Sequence, residues 1–146
     1  MCSQHSTVRG LLKEVPEDER VVIVDTGASP EHFTRGTTEF IDVMLVVAEP
    51  YFKSLETARR YYGFARQLGI PKIWVVANKV RGIEDRTAIE EFCRHHDMEI
   101  LAWIPYDASL ADAERVGAAP LDHDPASAWV NTTSQIVERL LEARTA

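Results

Sequence analysis

Lys72-Ile73-Trp74-Val75-Val76-Ala77-Asn78-Lys79 places five consecutive apolar residues, three of them β-branched, directly before an amide and an amine. A continuous apolar run of this length reads as a strand buried on both faces. Three other stretches share the design. VVIV ends in Asp25, VMLVVA in Glu49 and Pro50, and ILAWI in Pro105, Tyr106 and Asp107. Patterns of helical spacing separate them. Residues 52–68 carry Leu55, Ala58, Tyr62, Ala65 and Leu68 on one stripe, closed by Gly69 and Pro71. A helix over about 86–96, capped by Asp85, aligns Ile89, Phe92, Cys93 and His96. Strands near 20–25, 41–48, 72–77 and 99–104, alternating with helices, predict an α/β fold. It should be three-layered, with a mainly parallel sheet of about four strands and helices on both faces. In such sheets the polar groups at the strand ends collect along the carboxyl edge, where ligands bind.

The remaining helical signals are terminal. Val8, Leu11, Leu12 and Val15 predict a short amphipathic helix that stops at Pro16. Asp107 is placed to cap a short helix ending near Gly117. Asp124 with Pro125 is placed to start a last helix striped by Trp129, Thr133, Ile136, Val137 and Leu140.

With 146 residues, 45% hydrophobic content and neither linker nor repeat, the chain is expected to form a single domain, 1–146. A net charge of −7 argues against a nucleic-acid partner, because phosphate-backbone binding relies on a basic face. No apolar run approaches the roughly twenty residues of a membrane span, so no membrane partner and a cytoplasmic location are expected. Two cysteines, Cys2 and Cys93, are too few for a disulfide framework.

Each strand end has two readings. Asp25, directly after VVIV, has the position from which a carboxylate orients a magnesium-bound water, or it caps the next turn. Asn78 can donate and accept toward the edge of a purine, with the Lys79 stem over the base plane, or the pair simply opens a polar loop. Pro105, Tyr106 and Asp107 present backbone groups to a base, or make an ordinary strand-to-helix turn. Cys93 on its helical stripe reads as core. No G-x-x-x-x-G-K-[ST] loop and no G-x-G-x-x-G occurs, so the usual cradle for phosphates is missing from the sequence.

D-T-G-A-S-P-E-H-F-T-R-G-T at 25–37 resembles the D-x-x-A-G-x-E-H-x-x-R-G-T segment of the CooC-type ATPases. These are nickel-insertion accessory proteins of carbon monoxide dehydrogenase within the MinD/ParA group of deviant phosphate-loop NTPases. The matching positions are Asp25, Ala28, Glu31, His32, Arg35, Gly36 and Thr37. The resemblance continues through AEPYFKSLETA, LGIPKIWVVANKV and IPYDASLADAE, nearly the whole chain. It implies a partial P-loop NTPase fold, with ATP or ADP and magnesium as cofactors. It places Asp25 near the magnesium and the attacking water, and Asn78, Lys79, Pro105, Tyr106 and Asp107 around the adenine. M-C-S-Q-H at 1–5 resembles the second half of the family's C-x-C segment, which binds metal between two subunits. Cys2, with His5, is thereby a candidate ligand for nickel or zinc at a dimer interface.

Two departures qualify the likeness. Ser29 stands where the family has a glycine that approaches the terminal phosphate. The family's first strand and Gly-rich loop would lie ahead of Met1, so the chain is expected to correspond to the portion after them. That absent strand would lie inside the sheet, between the strand ending at Asp25 and the one ending at Glu49 or a neighbour, leaving ladder groups unpaired. The implied partners are a second copy or a separate P-loop-containing half, and a client of the carbon monoxide dehydrogenase type. Hydrolysis by this chain alone is not expected. The alternative function is a non-catalytic regulatory or complementing module that pairs with a P-loop-containing partner. A phosphorylated receiver domain is disfavoured because Asp25 has no adjacent acid.

Overall fold

β2 (Lys72–Val80) is the strand that the opening pattern predicts, and burial on both its faces organises the molecule. The computed structural model describes residues 21–25 and 41–144. β2 lies between β1 (Val43–Ala48) and β3 (Ile100–Pro105), parallel to both, in the order β1-β2-β3. The connections are helical: α1 (Phe52–Gln67) and α2 (Ile83–His95) lie between strands, and α3 (Ser109–Arg115), α4 (Pro120–His123) and α5 (Ala128–Arg144) follow β3.

Strand alternation sorts the side chains into two layers. Ile73, Val75 and Ala77 of β2 meet their register partners Met44, Val46 and Ala48 of β1 in one core. Leu55, Ala58, Tyr62 and Ala65 of α1 and Ile89 and Cys93 of α2 complete it. On the other face Trp74 and Val76 join Leu101 and Ile104 of β3 beneath Trp129, Ile136 and Leu140 of α5. Each fully buried Val, Leu or Ile contributes about 1.5–3 kcal/mol relative to exposure, so this apolar pairing is the main force holding the layers. The expected stripe of α1 is the buried one except for Leu68, which caps the helix. Gly69 takes φ +72, the left-handed conformation that stops the helix.

Four expectations are corrected. The sheet of the described residues has three strands, not about four. Val21–Asp25 joins no ladder and lies exposed, with Ile23 at 86%. Apolar composition by itself does not decide which neighbour a segment pairs with. β2 runs to Val80 rather than 77, so Asn78 and Lys79 lie inside the strand. α2 begins at Ile83 with Gly82 at its N-cap. Asp85 sits in the first turn, its Oδ2 accepting the Arg81 N–H at 2.9 Å. α5 begins at Ala128. Ser127 Oγ accepts the Val130 N–H at 3.2 Å, whereas Asp124 closes α4 and accepts the Ala126 N–H at 3.2 Å. A serine inside the chain reversal thus takes the capping role that Asp124 was expected to play. The helix expected over 8–15 lies outside the described residues.

Asp107 ties two helix starts together. Its Oδ1 accepts the Ser109 N–H at 2.9 Å and the Ser109 hydroxyl at 2.6 Å, and its Oδ2 accepts the Trp129 N–H at 3.3 Å. These bonds, those of Ser109 above all, hold its carboxyl below the ordinary Asp value of 3.8. A depressed carboxyl stabilises the fold above its unfolded-state pKa and loses that effect as pH falls through the folded value. Asp107→Ala should therefore lower the melting temperature at pH 7, and the gap from wild type should narrow below about pH 4. A gap that is constant down to pH 2 would show that the charge is not what matters.

Candidate functional site

Because the strands are parallel, their carboxyl ends lie on one edge, and direct contacts join them there. Lys79 Nζ donates to Glu49 Oε1 at 2.7 Å, linking the end of β2 to the residue after β1. The Tyr106 N–H donates to the Val80 carbonyl at 2.9 Å, linking β3 to β2. The Arg81 guanidinium lies over the Tyr106 ring, 4.3 Å from its centroid. Glu49, Asn78–Arg81 and Tyr106 thus form a contiguous rim.

A bulge shapes the middle of that rim. The β2–β3 register breaks between Ala77 and Val80, so Asn78 and Lys79 have no partners in β3. Lys79 takes φ 57, a left-handed conformation that costs an L side chain energy and turns the strand end. Asn78 Oδ1 accepts the Lys79 N–H at 3.0 Å, fixing the carboxamide against the turn. Its Nδ2 has no partner among the described residues and can donate to a ligand. Lys79 is anchored at its tip. The ammonium is committed to Glu49, whose hydrogen bond and charge raise its pKa. Lys79 is exposed and Glu49 half-buried, a setting in which an ion pair adds little stability, so the pair acts mainly by fixing the direction of Lys79.

Ser54 steadies the neighbouring loop. Its Oγ accepts the Glu49 N–H at 2.9 Å, and the Tyr51 N–H donates to the Glu49 carbonyl at 2.8 Å. The E-P-Y-F-K-S stretch is a closed turn that positions Glu49 for Lys79.

The other expected site residues stand differently toward this rim. Both Asp107 oxygens accept bonds from backbone and hydroxyl donors beside the rim. Pro105 is the last residue of β3 and half-buried. Asp25 ends the unpaired segment, so the sheet does not fix its carboxylate as the sequence pattern implied. Cys2 and His5 lie outside the described residues, and no cluster of three metal-ligating side chains occurs among the described ones. An open concavity of about 350 Å³, lined by Tyr62, Arg66, Lys72, Trp74 and Glu99, lies at the opposite edge, where β2 and β3 begin. It is remote from the bulge.

Sequence reasoning missed the Glu49–Lys79 pair and the Arg81–Tyr106 stack. A signal for the first was present, since acid and amine close neighbouring strands. The second depends on the Val80–Pro105 register and the Tyr106–Val80 hydrogen bond, which no local pattern contains.

The rim can do one kind of chemistry well. A flat ring, Tyr106, half-exposed and backed by Arg81, offers a stacking face, and the Asn78 amide stands within the same strand ends. This suits a planar heterocycle with donor and acceptor edges.

Comparison with known proteins gives a consistent answer. No family model matches the chain. It is 36% identical over 127 residues to the carbon monoxide dehydrogenase accessory protein CooC of Rhodospirillum rubrum, covering 86% of this chain and 48% of that protein. It is 36% identical over 130 residues to an uncharacterized ATP-binding protein of Methanocaldococcus jannaschii, covering 88% of this chain and 50% of that one. The chain thus spans about half the length of the curated relatives it matches. Among solved structures, the cell division ATPase MinD of Pyrococcus furiosus superimposes with a TM-score of 0.77 over 95% of this chain and 59% of that one. At 15% identity, that likeness speaks for the fold alone.

Proposed function

The chain belongs to the CooC-like members of the MinD/ParA-type P-loop NTPase fold, and from that premise we propose that it supplies the base-recognising part of an ATP-binding protein for carbon monoxide dehydrogenase maturation. The observation that supports this most is the rim itself, with Asn78 held by the bulge and Tyr106 stacked on Arg81 at adjoining strand ends. In this reading the adenine lies against the open face of Tyr106. Asn78 Nδ2 donates to a ring nitrogen, and Oδ1 keeps a lone pair for the exocyclic amine. The Glu49–Lys79 pair bounds the pocket on the β1 side. Pro105 supplies the adjacent backbone, and Asp107 holds the loop that presents Tyr106. The ATP of an intact nucleotide site supplies binding energy that can drive closure and opening of the protein around its metal cargo. Nickel insertion, and a role for Cys2 as a cargo ligand between two copies, belong to the same proposal. So does Asp25 as the group near magnesium, which requires its segment to join a sheet.

The phosphates are the weak point of this chain. Backbone nests and a loop lysine provide most of the attraction for a triphosphate, and the sequence has no G-x-x-x-x-G-K-[ST] loop. ATP with magnesium is therefore expected to bind with Kd above about 1 mM, and AMP about as well as ATP, because only the base is read. In a titration followed by amide NMR, AMP should shift Asn78, Val80 and Tyr106 selectively, GMP should shift them less, and Asn78→Ala should remove the difference. Equal responses to AMP and GMP would refute base recognition at this rim, and micromolar affinity for ATP would refute the weak hold on its phosphates.

A further inference from the structure

Glu49 keeps one carboxylate oxygen uncommitted. Its Oε1 accepts from Lys79 Nζ at 2.7 Å, while Oε2 has no partner among the described residues. The backbone on either side of the side chain is pinned. The Glu49 N–H donates to Ser54 Oγ at 2.9 Å, and the Glu49 carbonyl accepts the Tyr51 N–H at 2.8 Å. Main chain and ion pair together hold the carboxylate just past the end of β1.

That place lies next to the residue that reads the base. The β1–β2 register pairs Ala48 with Ala77, so Glu49 and Asn78 are the next residues of adjoining strands, one strand spacing or about 4.8 Å apart. Tyr106 follows β3 on the other side of Asn78. A base stacked on Tyr106 with its edge on Asn78 carries a sugar, and Glu49 and Lys79 are the polar groups that the β1 side of the rim offers to it.

Their chemistry matches a sugar edge. A ribose presents two neighbouring hydroxyls, each able to donate and to accept. A carboxylate oxygen accepts only, and an ammonium donates only. Glu49 Oε2 is a free acceptor, and Lys79 Nζ keeps two N–H groups after its bond to Glu49. A 2′-deoxyribose lacks one hydroxyl and would leave the charged acceptor without its donor, a loss that a neutral acceptor would feel less.

We infer that Glu49 is a specificity-determining residue of this rim: its free oxygen accepts a hydrogen bond from the 2′-hydroxyl of the sugar, so the nucleotide it selects is a ribonucleotide. The inference rests on the base-recognising reading and adds the sugar to it.

The test compares AMP with 2′-deoxy-AMP, which carry the same base, through the initial slopes of the amide shifts of Asn78, Val80 and Tyr106. The chain should bind AMP about tenfold more tightly. Glu49→Ala should weaken AMP until the two ligands agree within about twofold, with 2′-deoxy-AMP nearly unchanged. If Glu49→Ala disturbs the sheet, seen as lost dispersion of the Val75–Ala77 amides, Glu49→Gln serves in its place. It keeps a neutral acceptor, and the preference should fall to about threefold. Lys79→Met removes the ion pair and leaves the carboxylate, so both ligands should weaken alike and the preference should stay above about fivefold. A preference that Lys79→Met abolishes as fully as Glu49→Ala would move the sugar contact to Lys79 and overturn the assignment. Equal binding of the two ligands by the unaltered chain, with Asn78 and Tyr106 still responding, would overturn the ribose contact and leave base recognition standing. No response at those amides to either ligand would remove base recognition, and the ribose contact with it.

Discussion

Ile89→Ala should lower the unfolding free energy by about 2–5 kcal/mol, the usual cost of replacing a fully buried isoleucine by alanine. Ile89 is 0% exposed and lies with Val75 and Cys93 where α2 meets β2, in the core shared by both crossover helices. Truncation removes the transfer energy of its outer carbons and leaves a cavity that a three-strand sheet between helices cannot close. Domains of this size are stable by only about 5–15 kcal/mol in total, so the loss is a large share. Urea melts followed by far-UV circular dichroism measure it. Ile83→Ala is the control, since Ile83 opens the same helix and is 74% exposed, and it should change stability by less than about 0.5 kcal/mol. Equal effects at the two positions would mean that the buried layer described between α2 and β2 does not form.

Cys93 should be almost inert toward thiol reagents in the folded chain. It is 1% exposed, and burial pushes its thiol up to about 11 from the ordinary 9.0. The nucleophile is the thiolate, so the shift alone lowers the reactive fraction at neutral pH about 100-fold, and restricted access lowers it further. Mass mapping of the peptide containing Cys93 after iodoacetamide should show modification only in urea. The same shift sets a pH dependence. Between about 9 and 11 the unfolded chain loses this proton while the folded chain keeps it, so stability should fall as pH rises through that window. Alkylation at similar rates with and without urea would place Cys93 outside the core.

Most of the architecture was legible because local patterns and the fold agree. Continuous apolar runs at 43–48, 72–77 and 100–104 became parallel strands, and the α1 stripe buried the side chains its spacing selected. The stop at Gly69 followed from glycine's access to positive φ. The errors lie where pattern and partner separate. VVIV has the composition of a buried strand, but burial and hydrogen bonding come from a neighbour, and the described chain offers none at 21–25. The helix starts at α2 and α5 moved by three residues: α2 begins after Gly82 with no side-chain cap, and at α5 the Val130 N–H goes to Ser127 while Asp124 takes the Ala126 N–H in the turn before it.

The site divides the same way. Which residues close the strands, and that they share one edge, follows from the sequence, since parallel strands joined by helices admit no other arrangement. What each does at that edge was decided by tertiary contacts between residues far apart in the chain. Asp107 was drawn into capping α3 and α5, Lys79 turned through a bulge to Glu49, and Arg81 came to rest on Tyr106. Local energetics write the order of elements into the sequence. Register, bulges and the pairing of open edges depend on which neighbour is present to satisfy a backbone group, and only the assembled sheet decides that.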